Sequence, residues 1–313
     1  MKRTAYNLLR LVRPRQWIKN LAIFAAITFA GGLFNLYSLQ KVGLGFFVFC
    51  GLSSAIYIVN DIFDIQKDRL HPFKKFRPIA HGDIKILQGL TLAAVLGAVS
   101  LWVSIIVTPA FFLLSIAYIL LQVFYSAILK NIEIIDILAL ATGYILRVYG
   151  GELASGYHIS VWLLLTTISL SLFLAIGKRR SELTLVSHEP KMSQSTRATL
   201  SHYSERLLDV YTSLFATSTF LAYVLFTFLE NPTGVKISLG LFLPDFLPSF
   251  FQKKWLMVTI IPVVYGIMRY MQDIYERHEG ESPERVLLAD LPLLSSVILW
   301  AILVIAIIYL IGV

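Results

Sequence analysis

The chain is poor in cysteine and in charge, and it carries no block of polar sequence large enough for a soluble domain. Cys50 is the only cysteine among 313 residues, so no internal disulfide can form and cysteine chemistry does not indicate a redox compartment. Charged residues make up 15% of the chain and hydrophobic residues 57%. A soluble domain has about 25% and about 45–50%, so a soluble fold, a disordered tail and a fibrous repeat are all excluded. The histidines, His71, His81, His158, His188, His202 and His278, show no zinc spacing. There is no P-loop, no dinucleotide glycine fingerprint, no Ser-x-x-Lys and no nucleophile elbow. Covalent catalysis is therefore unsupported. Asn231-Pro232-Thr233 is not a glycosylation acceptor, because proline fills its middle position.

What the chain does have is long apolar runs, with a mean hydropathy of +0.73. Nine stretches are long enough to span a bilayer: Leu21–Tyr37, Gly43–Phe63, Ile86–Val107, Pro109–Leu129, Ile135–Leu153, Ile159–Gly177, Leu207–Leu229, Leu256–Tyr275 and Leu291–Leu310. The first follows a basic stretch but lacks a small-x-small cleavage site, and a retained span is expected. Placing the N-terminus in the cytoplasm puts nearly all the cations in cytoplasmic links. Lys2 to Lys19, Lys67 to Lys85, Lys130, Lys178 to Arg206 and Arg269 to Arg285 fall there, and only Lys41, Lys236, Lys253 and Lys254 fall outside. The positive-inside rule then orients the chain with its C-terminus outside, and it explains the net charge of +8 without any nucleic acid. The expected fold class is an all-α polytopic membrane protein, a single domain over residues 1–313. Residues 1–20 read as a basic interfacial helix, and 64–85 and 178–206 as cytoplasmic loops. Link 230–255, rich in Phe and Trp, reads as an outer aromatic anchor.

The second span closes on Asn60-Asp61-Ile62-Phe63-Asp64-Ile65-Gln66-Lys67-Asp68. Positions i, i+3 and i+7 of a helix lie within about 60° of one another, so three carboxylates share a face where the helix leaves the bilayer. Like charges there repel and are poorly solvated, and a cation is needed among them. Carboxylates without His or Cys suit Mg2+, which keeps waters and commonly shares its shell with phosphate. The alternative reading is a solvated acidic helix end balanced by Lys67 and Arg69. Against it stands the basic segment that follows, His71-Pro72-Phe73-Lys74-Lys75-Phe76-Arg77-Pro78, because acid beside base on one rim is what a metal–diphosphate site requires.

Asn60-Asp-x-x-Asp-x-x-x-Asp68 at the end of a second span resembles the first aspartate motif of the UbiA superfamily of intramembrane prenyltransferases, and nine spans match that fold. Three further segments resemble its decaprenyl-phosphate phosphoribosyltransferase branch: Arg13-Pro14-Arg15-Gln16-Trp17-Ile18-Lys19-Asn20, His71-Pro72 with Arg77-Pro78-Ile79-Ala80, and Gly177-Lys178-Arg179-Arg180-Ser181-Glu182-Leu183. The chain departs from ordinary members at the second acidic motif after span six, which here reads Lys178-Arg179-Arg180-Ser181-Glu182. Exchanging acids for cations suits substrates richer in phosphate.

The resemblance implies transfer of 5-phosphoribose from 5-phosphoribosyl 1-diphosphate to a polyprenyl phosphate, with release of diphosphate. The product would be a lipid-linked sugar for envelope polysaccharide such as arabinan, made on the cytoplasmic side of the cell membrane by a multi-pass enzyme that can also form a homo-oligomer. Prenylation of an aromatic or quinone precursor and lipid transport are the competing readings. Asn60, Asp61, Asp64 and Asp68 are the expected catalytic group, with Mg2+ on the three aspartates. Expected substrate contacts are Lys19, Arg77, Tyr125, Lys130, Arg147, Lys178, Arg179 and Glu182. Several keep a second reading. Glu182 supports the metal or pairs with Arg179. Tyr125 and Lys130, in a Tyr-Ser-x-x-x-Lys spacing that resembles a superfamily feature, line the pocket or mark the interface. Lys19 clamps a lipid phosphate or anchors the first helix. Arg147, the one cation deep within a span, costs at least about 2.5–3.5 kcal/mol there, and it holds a substrate phosphate or pairs with Glu152 or Asp136. Arg180, Lys191 and Arg197 are read as topology charges.

Overall fold

A computed structural model describes residues 2–70, 74–188, 203–230, 254–276 and 283–311. Among these every regular element is a helix. The chain opens with α1 (Lys2–Val12), a 3₁₀ segment (Pro14–Phe24) and the short α2 (Ala25–Phe29). Helix α3 (Leu36–Phe63) follows, capped by the Asn35 side chain on Ser38 N, and then α4 (Ile65–Leu70) and α5 (Pro78–His81). Next come α6 (Ile86–Val107), α7 (Pro109–Ala127), α8 (Ile135–Ser155), α9 (Val161–His188) and α10 (Glu205–Leu229). The chain ends with α11 (Ile260–Tyr275), α12 (Pro283–Ala289) and α13 (Leu291–Ala306). Hydroxyl and carboxylate caps mark the starts: Thr108 accepts from Phe111 N, Ser204 from Leu207 N and Asp290 from Leu293 N.

Among the described residues six helices are long and apolar enough to cross a membrane: Leu36–Phe63, Ile86–Val107, Pro109–Ala127, Val161–Thr184, Glu205–Leu229 and Leu291–Leu310. They coincide with six of the expected spans. A seventh, α8, is 21 residues long but carries Asp136, Arg147 and Glu152. Outward side chains such as Trp102 of α6 (65% exposed) and Leu113 of α7 (66%) are apolar, as lipid-facing positions are.

Two local expectations are corrected. Residues 1–20 do not form one interfacial helix. The α-helix stops at Val12, because a residue before proline is held out of the right-handed helical region, and Arg13 turns left-handed at φ 54°. The first expected span, Leu21–Tyr37, is not a single helix either. It is the second half of the 3₁₀ segment, then α2, then a turn at Gly31 (φ 75°) before α3 begins at Leu36. The 3₁₀ winding changes the length arithmetic. Eleven residues at about 2.0 Å rise plus five at about 1.5 Å cover roughly 30 Å, about the hydrocarbon thickness. The aromatic anchor expected in 230–255 lies almost wholly outside the described residues, as do Lys191 and Arg197.

Helix α8 is central, packing on α9, α7, α3 and the 3₁₀ segment. The main core beside it contains Ile23, Ile27, Phe49, Leu52, Phe111 and Tyr118, with Phe49 edge-on to Phe111 and Tyr118 at 5.6 and 5.2 Å. Close packing there requires glycine: a Cβ on Gly151 would stand 1.9 Å from the Ile23 carbonyl oxygen. Gly151→Ala is expected to lower stability by about 1–3 kcal/mol through overpacking. Gly97→Ala on α6, with nothing within 4 Å, should leave the thermal midpoint in detergent unchanged or slightly higher. Equal midpoints for the two variants would contradict this packing.

Candidate functional site

The ends of α3, α7 and α9 and the start of α8 meet on one rim, and four of the chain's expected site segments come with them. Asp61 closes α3, 3% exposed. Asp64 caps that helix with a shifted backbone, yet the ladder continues through it: Asp64 N donates to the Asn60 carbonyl at 2.9 Å and Asp68 N to the Asp64 carbonyl at 2.8 Å. The acidic face therefore survives the change from α3 to α4. Arg77 Nη1 donates to both Asp61 Oδ1 (3.0 Å) and Asp68 Oδ2 (2.6 Å), and Arg13 Nη2 reaches Asp61 Oδ1 at 2.5 Å. The cation demanded by the acidic face is thus supplied by two arginines. Burial pushes the Asp68 carboxyl above its ordinary range, and Arg77 offsets only part of that.

Arg13 was not among the expected contacts. Its left-handed backbone costs about 1–3 kcal/mol, offset by the Asp61 ion pair and by stacking over the Tyr57 ring at 5.1 Å. The 3₁₀ segment it precedes acts as a rail. With three residues per turn, positions i, i+3 and i+6 eclipse, so Arg13, Gln16 and Lys19 share one edge. Gln16 Nε2 donates to Glu284 Oε1 at 2.5 Å, Lys19 Nζ donates to Gln16 Oε1 at 2.8 Å and stands 2.9 Å from Glu284 Oε2, and the Tyr57 hydroxyl donates to Gln16 Oε1 at 3.3 Å. Trp17 Nε1 pins the rail to Ser54 on α3 at 3.1 Å. Glu284 and Gln16 were both missed by sequence reasoning: one is among several acids of a polar link, the other an uncharged residue between cations. The only available signal was the three-residue spacing after Pro14.

The opposite wall comes from α7, α8 and α9. Arg179 is 0% exposed. Its Nη2 donates to the Tyr125 hydroxyl at 2.9 Å, its Nη1 to Glu182, and its Nε faces Asp136 Oδ2 at 2.5 Å. Asp136 is also fully buried and accepts from the Tyr203 hydroxyl at 2.8 Å, which in turn accepts from Ile134 N at 2.6 Å. Burial and Asp136 together push the Tyr203 phenol up to about 12. Of the two readings of Glu182, the pair with Arg179 is the one present. Lys178 is half-buried, 4.0 Å from Glu182 Oε1, and within electrostatic reach of Lys19. Lys178 is thus the more accessible of the two cations, and Arg179 is enclosed. Lys130 is half-buried on the turn joining α7 to α8, and Asn60 is half-buried beside Asp61. Arg180 is tied to Asp209 (2.6 Å) and Glu205 (3.1 Å) of α10.

Arg147 stands apart from both walls, and its expected acidic partners are corrected. Glu152 pairs with His158 at 3.0 Å and Asp136 with Arg179. Arg147 instead donates to Asn20 Oδ1 (2.7 Å), the Gly143 carbonyl (2.5 Å) and the Tyr118 hydroxyl (2.8 Å), with Tyr118 and Tyr144 rings at 5.0 and 5.7 Å. Neutral dipoles and ring faces carry this charge, and the residue locks the rail to α8.

No three His, Cys, Asp or Glu groups among the described residues stand together as a ready metal cage. The donor set nonetheless fits a hydrated Mg2+, which takes one or two carboxylates plus phosphate. The arginines engage one oxygen each of Asp61 and Asp68, and the second oxygens and Asp64 accept no hydrogen bond among the described residues.

Buried charges collected at one end of an apolar helical bundle define an integral-membrane protein with its polar chemistry on one rim. The sequence profile of the UbiA prenyltransferase family matches residues 21–291, and the chain belongs to that family. A Corynebacterium glutamicum protein named decaprenyl-phosphate phosphoribosyltransferase is 32% identical over 312 residues, 98% of this chain and 88% of the relative. A Mycolicibacterium smegmatis protein of the same name is 34% identical, covering 96% and 91%. A UbiA homologue of Archaeoglobus fulgidus bound to GPP and Mg2+ superposes with a TM-score of 0.68 at 19% identity, covering 95% and 96%, a likeness of fold.

Two predictions follow from the charge pairs. Asp136→Ala leaves the buried Arg179 with only one of its two counter-ions and should cost about 3–5 kcal/mol; Asp136→Asn with Arg179→Met together should cost clearly less than the two single changes summed, read by thermal midpoints. The second concerns pH. Burial raises the Glu284 carboxyl, but Lys19 and Gln16 outweigh it and hold it below the ordinary glutamate range. A depressed carboxyl contributes stability that is complete above its unfolded value and is lost as pH falls through the folded one. The stability gap between the unaltered protein and Glu284→Gln should therefore stay constant from pH 7 to about 5 and close only below that. A gap that closes between pH 7 and 6 would contradict the pairing.

Proposed function

We propose that the chain transfers 5-phosphoribose from 5-phosphoribosyl 1-diphosphate to a polyprenyl phosphate, releasing diphosphate. The observation that carries this reading is the pairing of an aspartate face with a cationic wall, in a chain whose relatives named decaprenyl-phosphate phosphoribosyltransferase match it almost end to end. A prenyl diphosphate donor needs little beyond a metal–diphosphate seat and an apolar wall. Here the seat is bordered by Lys19, Lys178, Gln16 and Glu284, which suits a donor with a further phosphate.

Asp61, Asp64 and Asp68 would hold Mg2+, which when bound would neutralise charge on the diphosphate leaving group. The chain's own residues do the rest. Arg13 and Arg77, already on the aspartates, are placed to take diphosphate oxygens. Lys178 and Lys19 hold the other phosphates, and Arg179 acts through Tyr125 and Glu182, whose positions it fixes. The acceptor phosphate needs no base, since a monoester with a second pKa of about 6 is largely dianionic at neutral pH. Holding a water-soluble donor and a lipid acceptor on one rim is catalysis by positioning.

The same reading places nine crossings in the membrane: the six helices above, the 3₁₀ segment with α2, α8, and the pair Trp255–Thr259 with α11. The N-terminus and the site then face the cytoplasm and the C-terminus lies outside the cell membrane.

Asp61→Asn and Asp64→Asn, expressed in membranes and supplied with labelled phosphoribosyl diphosphate, should each lose on the order of 100-fold or more of transfer into lipid. Near-normal transfer at normal expression sinks the aspartate assignment. Product from a prenyl diphosphate and an aromatic acid, with none from phosphoribosyl diphosphate, sinks the donor.

A further inference from the structure

Glu284 belongs to none of the motifs that suggested the activity. It lies on α12, 5% exposed, and its Oε2 is ion-paired to the Lys19 ammonium at 2.9 Å. On α11, Tyr270 is 4% exposed and its hydroxyl lacks a hydrogen-bond partner among the described residues; it lies within electrostatic reach of Tyr144 and Glu284. Tyr57 of α3 and Tyr144 of α8, both half-buried, face Lys19 from the other sides. A buried polar atom left unmet costs about 1–3 kcal/mol. An unmet phenol beside a buried ion pair calls for a ligand that bonds the phenol and can share the carboxylate.

The position of the cluster identifies the ligand. Gln16, which bonds Glu284, is one 3₁₀ turn along the rail from Arg13, which bonds Asp61. One such turn is about 6 Å, about one sugar ring, so a group attached to a diphosphate on the aspartates falls here. A prenyl chain in this place would set hydrocarbon against a buried carboxylate, an ammonium and phenols. A ribose offers vicinal hydroxyls, donors that a carboxylate accepts. Resting on the transfer reading above, we propose that this cluster seats the donor's ribose, with Glu284 Oε2 accepting from a sugar hydroxyl and the Tyr270 hydroxyl bonding its neighbour. The Lys19 ammonium, which covers Oε2 when no donor is present, turns to a donor phosphate as the sugar enters. Glu284 is thereby the residue that separates a hydroxylated donor from a prenyl donor on the same aspartate face.

The test uses the full chain in nanodiscs with Mg2+, measuring affinity for phosphoribosyl diphosphate and for inorganic diphosphate. The unaltered protein should favour phosphoribosyl diphosphate. Glu284→Gln and Tyr270→Phe should each reduce that preference about tenfold or more while changing diphosphate affinity less than about twofold. Tyr270→Phe removes only an unpartnered hydroxyl, so its thermal midpoint should hold or rise, and it remains informative even where Glu284→Gln folds poorly. Preference retained in both variants, or equal weakening of both ligands, overturns the ribose seat and leaves the transfer reading standing. An unaltered protein that prefers geranyl diphosphate to phosphoribosyl diphosphate overturns the transfer reading and the ribose seat with it.

Discussion

Charges cannot be left unanswered inside a bilayer, and in this chain the answers are arranged by one eleven-residue 3₁₀ segment. Its three-residue turn brings Arg13, Gln16 and Lys19 onto one edge, where Asp61 and Glu284 wait. Its next residue, Asn20, takes the deep charge of Arg147. An α-helix of the same sequence would swing each third residue by about 60° and aim these side chains at different neighbours. The strained φ of Arg13 is the local cost of entering this winding, and Gly151 permits the close approach of α8 that supports it.

Across the rim, neutralisation is complete in a different way. Arg179 is enclosed by Asp136, Glu182 and Tyr125, so the basic loop that replaces a second acidic motif is partly internal scaffolding. Breaking such a buried pair is expensive, whereas replacing it by well-packed apolar groups need not be. That asymmetry points to a positional role for the pair: it fixes Glu182 and leaves Lys178 the more accessible cation. The two walls thus differ in kind. The aspartate wall carries carboxylate oxygens that accept no hydrogen bond among the described residues, and the cationic wall carries the half-buried Lys178 and Lys130.

Much of this was legible in the amino-acid sequence. Six spans follow directly from apolar runs, because in lipid the length of such a run is itself the constraint. Asp61 and Asp68 share a face because a seven-residue spacing is nearly two helical turns. Other features were hidden for physical reasons. A spacing of three is compatible with either helix type, so the 3₁₀ winding from Pro14 onward could not be told from an ordinary interfacial helix. Arg147 looked as if it needed an acid, since sequence cannot show that dipoles and aromatic faces will serve. Glu284 sits among polar residues of a short link, where an acid usually meets water, and only the fold turns it inward. Arg179 and Lys178 are adjacent and chemically alike, and helical geometry alone sends one inside and leaves the other at the wall.

The most direct test of this account is a map of the chain in a lipid disc with Mg2+ and phosphoribosyl diphosphate bound. The account predicts diphosphate density over Asp61, Asp64 and Asp68, with Arg13, Gln16 and Lys19 still aligned along one edge and the sugar lying toward Glu284. An aspartate face turned to the lipid headgroups with the donor bound elsewhere, or an α-helical course through Pro14–Phe24, would contradict it.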